Sequence, residues 1–224
     1  MVKHILFDAD QTLYPASSGV EAEMIRRMNI FVAEYLGVSV EEAKSLRANR
    51  DKKHNSTLEW LQNAKGLDNP EPFLAATHPT DFENFFPKNP ALINLLSKIT
   101  VPCSIFTNSW ARHAKNILKY LEISQFFTNI FDLCFNNYFG KPHLSAFTNV
   151  LDFLGLEAKD VLFIDDVKKF TDIFHSLGAN VILVDELKVH RHPLGIFNKY
   201  DAKKYDKVYY IEEIEPILEK LKVI

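Results

Sequence analysis

The chain has 224 residues, 47% hydrophobic and 25% charged, a balance that excludes disordered, collagenous and coiled-coil chains. Lysine and arginine number 26 against 29 acidic residues, so no global cationic field exists to hold a polyanion, and a nucleic acid polymer is not an expected partner. The seven glycines never share a loop, so neither G-x-G-x-x-G nor G-x-x-x-x-G-K-S/T can be written, which removes the two commonest glycine-rich phosphate cradles.

In chain order, a short apolar run from Lys3 to Phe7 predicts a first strand. Three helical patterns follow without a strand between them: Glu21 to Leu36, one opened by Ser39 with Glu42 three residues on, and one from Thr57. The stretch Asp68 to Pro90 holds Pro70, Pro72, Pro79, Pro87 and Pro90, a composition that breaks elements and suits a return linker. Strand-like runs resume at Val101 to Phe106, Ile130 to Phe135, Val161 to Ile164 and Val181 to Val184. Helical patterns lie between them at Ala111 to Leu121, Leu144 to Leu154 and Lys168 to Leu177. Near-continuous apolar strands alternating with helices predict an α/β fold with a doubly wound parallel sheet, a Rossmann-like core covered on both faces. The expected organisation is a core domain of residues 1–15 and 88–224, with a helical segment and its return linker inserted at 16–87.

Two cysteines, Cys103 and Cys134, are far apart with no C-x-x-C, which suits a reducing compartment. Neither a signal-peptide core nor an apolar run of roughly 18 residues is visible, so the cytoplasm is expected and a membrane is not. His190-Arg191-His192 lacks a further ligand at zinc spacing and reads as an exposed loop. The stretch Lys199 to Tyr210 mixes signs and reads as a solvated face.

Four features sit at strand ends, where open parallel sheets place their ligand crevice. Asp8-Ala9-Asp10-Gln11-Thr12 follows the first strand, and residues two apart on an extended chain point to the same side. Thr107-Asn108-Ser109 lies where the second strand turns into a helix whose first N–H groups favour an anion. Lys141-Pro142 opens a helix, and Asp165-Asp166 ends the strand from Val161. Each has a plainer reading: D-x-D and an Asp pair as turn chemistry, Thr-Asn-Ser as a helix cap, a lone lysine as solvent charge. Together they put Asp8, Asp10, Asp165 and Asp166 in one crevice with one cation, Lys141. Such a charge excess calls for a hard divalent ion, and Mg2+ suits carboxylates with no His or Cys nearby. The expected substrate is a small phosphate ester. Asp8 attacks phosphorus, and Asp10, with its pKa raised by carboxylate neighbours, serves as general acid and base. Thr107, Asn108 and Lys141 are the expected phosphate binders. His113, about one turn beyond Ser109, is expected on the helix surface.

The D-x-D-x-T at Asp8 to Thr12, then Thr107, Lys141 and the pair Asp165-Asp166, in that order, resemble the haloacid dehalogenase superfamily over nearly the whole chain. The resemblance implies that the helical insertion is a substrate-selecting cap. It also implies that Asp8 and Asp166 ligate the metal, with Asp165 either a ligand or a partner of the ligands and Asp10 a ligand through its carbonyl. Phe106-Thr107-Asn108 with His113-Ala114, Lys141-Pro142 with Ala146-Phe147, and His54-Asn55-Ser56-Thr57-Leu58 are similar to the pyrimidine 5'-nucleotidase branch. That similarity implies a nucleoside monophosphate substrate such as UMP or CMP. Gln11 stands where Asn or Gly is usual, and Phe170 replaces an Asn that commonly follows the acid pair. The alternatives are a sugar-phosphate or phosphoglycolate phosphatase, or a catalytically weak phosphate-binding module. The sequence leaves the oligomeric state open.

Overall fold

The computed structural model describes residues 1–187 and 206–224, so the histidines of 190–192 and the lysines at 199, 203 and 204 lie outside the described residues. The chain divides into two compact units, Met1–Ser18 with Phe86–Ile224, and Gly19–Phe85.

The larger unit is built on six parallel strands: β1 (His4–Phe7), β2 (Cys103–Phe106), β3 (Phe127–Phe131), β4 (Val161–Asp165), β5 (Asn180–Val184) and β6 (Asp206–Val208). Their order is β3-β2-β1-β4-β5-β6, so the winding reverses between β1 and β4. Such a reversal opens a crevice beyond the carboxyl ends of the strands, because the connections on either side leave in opposite directions. Register fixes what meets there. Phe7 pairs with Ile105 on β2 and Ile164 on β4, and the Asp8 N–H continues the ladder to the Ile164 carbonyl at 2.8 Å. The next residues in register are Asp8, Phe106 and Asp165.

Every residue of β1, β2 and β4 is buried, the mark of a sheet covered on both faces. Phe147 of α7 (Leu144–Leu154) and Phe174 of α8 (Lys168–Ser176) meet Phe163 of β4 at ring-centroid distances of 6.2 and 5.3 Å. Truncating any one of these rings removes roughly 3–5 kcal/mol.

Three strand-end details depart from the sequence expectation. The third strand runs Phe127–Phe131, not Ile130 to Phe135; the chain turns at Asp132, whose Oδ1 accepts from the Phe135 N–H at 2.9 Å. The polar residues Thr128 and Asn129 lie inside the strand because Ser104 of β2 gives their side chains partners, at 3.0 and 3.3 Å. The short β6 was not anticipated, and Lys207 within it pairs with Asp185 at 3.1 Å.

In the smaller unit, α1 (Val20–Leu36), α2 (Val40–Ala48) and α3 (Thr57–Lys65) follow the expected pattern. Ser39 and Ser56 accept from the N–H groups of Glu42 and Glu59, satisfying donors that the first turn leaves over. The expected linker holds α4 (Glu71–Thr77), with Pro72 in its first turn, where proline lacks only an N–H that has no helical partner. Proline also opens α5 (Pro90–Ser97), back in the larger unit with α6 (Ala111–Tyr120) and α9 (Glu215–Leu221). No helix among the described residues is long and apolar enough to cross a membrane.

Candidate active site

The crevice brings together Asp8, Thr107, Asn108, Lys141, Asp165 and Asp166. Lys141, 3% exposed, donates to Asp8 Oδ1 at 2.9 Å, Asp165 Oδ2 at 2.6 Å and the Phe106 carbonyl at 2.8 Å, so all three ammonium hydrogens have acceptors. Burial would discharge this lysine, but Asp165 and Asp8 outweigh it and hold its pKa above the ordinary lysine value. The rings of Phe106, Phe163 and Phe170 stand 5.0, 5.2 and 5.2 Å from the nitrogen. Phe170 therefore offers a π-face to the cation, where the resemblance expected a hydrogen-bonding Asn.

The side chain of Asn108, an expected phosphate binder, is committed within the protein. Its Oδ1 accepts from the Lys141 N–H at 2.7 Å and its Nδ2 donates to the Lys141 carbonyl at 2.6 Å. Both amide ends are thus spent on fixing the lysine's backbone. The preceding residue must be glycine, since a Cβ on Gly140 would overlap Asn108 Oδ1.

Asp8, Asp165 and Asp166 each offer a carboxylate oxygen, all within 4.8 Å of one another. Burial raises the pKa of Asp8; the charges of Asp165 and Asp10 push it the same way, against the pull of Lys141. Burial, then Asp165 and Asp8, push Asp166 well above its ordinary value. Asp165 is fully enclosed, and burial lifts it despite Lys141 and the Val167 N–H on Oδ1 at 2.7 Å. Three close carboxylates against one ammonium leave uncompensated negative charge, and an all-oxygen donor set matches a hard divalent cation. These three residues could hold one.

Asp10 stands apart. Its Oδ1 receives the Tyr14 hydroxyl at 2.6 Å and lies 2.8 Å from His113 Nε2, and its Oδ2 receives the Ser109 hydroxyl at 2.5 Å. Burial alone would raise its pKa, but His113, Ser109 and Tyr14 together hold it below the ordinary carboxylate range. This corrects the expectation of a raised value. The expected carboxylate neighbours lie around Asp8, and the Asp10 carboxylate is outside the three-carboxylate cluster. His113 is likewise not on the helix surface; at 1% exposure it faces the crevice. Its offset from Ser109, four positions and hence about one turn, was the available signal.

One N–H at the N-terminus of α6 is taken up within the protein. Asp132 Oδ2 accepts from the Ala111 N–H at 2.8 Å, a carboxylate at the positive end of the helix dipole. Thr107, 1% exposed, accepts from the Ser109 N–H at 3.0 Å through its hydroxyl oxygen.

A family model described as "Hydrolase: haloacid dehalogenase-like hydrolase" matches residues 2–168, and the chain belongs to that family. Among solved structures, it is similar to a HAD phosphatase from Thermococcus onnurineus at 16% identity, covering 97% of this chain and 98% of that one, with a TM-score of 0.62. An L-2-haloacid dehalogenase from Xanthobacter autotrophicus gives 16% identity, coverages of 98% and 99%, and a TM-score of 0.59. A HAD hydrolase from Bacillus subtilis bound to magnesium gives 16% identity, coverages of 97% and 98%, and a TM-score of 0.58.

Proposed function

We propose that the protein is a Mg2+-dependent phosphomonoesterase acting through an aspartyl-phosphate on Asp8. The observation that carries this reading is the pairing of two differently held carboxylates, Asp8 beside Lys141 and Asp10 against His113. In the first step an Asp8 oxygen attacks phosphorus and the P–O ester bond breaks. The departing oxygen keeps the bonding pair and takes a proton from Asp10. Water then attacks the aspartyl-phosphate, Asp10 receives its proton, and inorganic phosphate leaves with Asp8 restored. The ionised state favoured for Asp10 suits the second step directly; the first requires a proton held between Asp10 and His113.

Lys141 would meet the phosphoryl oxygens by exchanging its Asp8 contact for them. Thr107, whose oxygen already accepts from Ser109, can give its own hydrogen to the same group. Asp8, Asp165 and Asp166 would hold Mg2+, which when bound offsets carboxylate and phosphoryl charge; the magnesium bound to the Bacillus subtilis structure supports that choice. Asp10 also weighs against dehalogenation, since a halide leaving group needs no proton. The motif similarities favour a pyrimidine nucleoside 5'-monophosphate as substrate, with the helical unit as the selecting part and the cytoplasm as the compartment.

Purified protein with Mg2+ and a panel of phosphate esters is the test, with UMP expected to lead sugar phosphates and phosphoglycolate. Asp8→Asn should lower kcat by at least about a thousandfold. No phosphate release from any ester, or full activity in the variant, refutes the proposal. Tight binding of a phosphate mimic without turnover would favour a binding module instead.

A further inference from the structure

We infer that His113 is a positioning residue for Asp10, fixing the direction in which that carboxyl meets the ester oxygen. The inference rests on the phosphomonoesterase reading and extends it to a side chain outside the D-x-D-x-T.

Three groups hold the Asp10 carboxylate. Tyr14 and Ser109 do so through hydroxyl hydrogens; that of Ser109 turns about its C–O bond and follows the acceptor, while that of Tyr14 shares Oδ1 with the histidine. His113 differs. Its ring is buried, its Nε2 lies in the ring plane, and the contact to Oδ1 at 2.8 Å admits one orientation of the carboxylate. The ring is also carried on a fixed element: Asp132 ties the Ala111 N–H at the start of α6, and Ala114, the next residue, is fully buried. An Asp10 that lost this contact would keep its hydroxyl partners and its place in the crevice, yet lose its aim. Proton transfer to a leaving oxygen depends on that aim, since donor and acceptor must lie within hydrogen-bond reach along a near-linear path.

A positioning role acting through the acid is visible in the leaving group. An alkyl phosphate expels an alkoxide that needs a proton as the bond breaks, whereas p-nitrophenolate leaves with little help. The second-order constant kcat/KM reports the steps up to ester cleavage, so both esters are compared by it in wild type, His113→Ala, His113→Gln and His113→Asn. Glutamine can place its amide nitrogen near the Nε2 position; asparagine carries the same amide too short to reach. His113→Ala and His113→Asn should lose at least about tenfold more on an alkyl phosphate than on p-nitrophenyl phosphate. His113→Gln should recover most of the alkyl activity. Equal losses on the two esters in a folded variant, or glutamine no better than asparagine, overturn the inference while leaving the phosphatase reading intact. Should His113→Ala not fold, the glutamine–asparagine comparison decides alone. A wild type inactive on both esters overturns the two together.

Discussion

Asp8 and Asp10 are two residues apart and experience opposite surroundings. Asp8 shares its space with Asp165 and Asp166, has the Lys141 ammonium as its one cationic partner among the described residues, and is pushed up by burial and like charge. Asp10 is buried too, yet three donors hold it down. The first region is left short of positive charge and gains from a cation or from chemistry that changes its charge. The second is complete within the protein. The proposed division between nucleophile and acid/base group rests on what each carboxylate lacks, not on the D-x-D spacing alone.

The largest expected effect comes from removing the Lys141 ammonium from the first region. Lys141→Met leaves Asp8, Asp165 and Asp166 buried without compensation and should destabilise the metal-free protein by roughly 3–5 kcal/mol. Denaturant unfolding without and with Mg2+ checks this; the divalent ion should restore part of the loss, and a metal-free stability equal to wild type would show that the carboxylates are already neutral.

Next in size is a contrast of sign. An acid whose folded pKa is raised contributes stability that is present below its unfolded pKa and lost as pH rises, so at neutral pH Asp8 is a burden and Asp8→Asn should stabilise the metal-free fold by about 1–2 kcal/mol. Asp10 has a lowered pKa; its contribution is present above the unfolded value and lost at acid pH. Asp10→Asn removes charge-assisted bonds to three donors and should cost about 2–3 kcal/mol at neutral pH. Changes of the same sign in the two variants would dissolve the comparison.

The same physics explains what the sequence revealed. The parallel sheet was readable because β1, β2 and β4 each carry an apolar run, Ile5–Phe7, Ile105–Phe106 and Val161–Ile164, and the acidic crevice because its residues follow those runs directly. The third strand was misplaced because Thr128 and Asn129 look like turn residues until Ser104 and His4 are set beside them; His4 Nε2 lies 3.0 Å from Ser104 Oγ. The helices at Glu71 and Pro90 were hidden by prolines that open them. His113 was assigned to the surface because its one-turn offset from Ser109 places the two on one side without saying that this side meets the crevice.

That buried His4 network gives a third region, polar but far from excess charge, and a smaller effect. Burial holds the His4 pKa down to about 4, below the ordinary value of 6.5. Because the neutral ring is the folded form, its stability is present above pH 6.5 and lost as pH falls towards 4. His4→Gln keeps a hydrogen-bonding amide without the titration, so wild type should lose about 1–2 kcal/mol more than the variant between pH 7 and 5. Parallel stability curves would show that His4 is neutralised or solvated in both states.

The smallest effect lies at the joint between the two carboxylate regions. Gln11 follows Asp10 with φ at 60°, the left-handed region, where a side chain crowds the backbone and glycine does not. The departure from the usual Asn or Gly is therefore a matter of backbone cost. Gln11→Gly removes that crowding but gives the unfolded chain more freedom, and the balance should be a gain of roughly 0.5–1 kcal/mol with kcat/KM changed less than about twofold. Gln11→Val, β-branched at the same φ, should instead lose stability, by about 1 kcal/mol or more. A glycine variant that is less stable than wild type would mean that the glutamine side chain, and not the turn alone, helps to hold Asp8 and Asp10 in their separate surroundings.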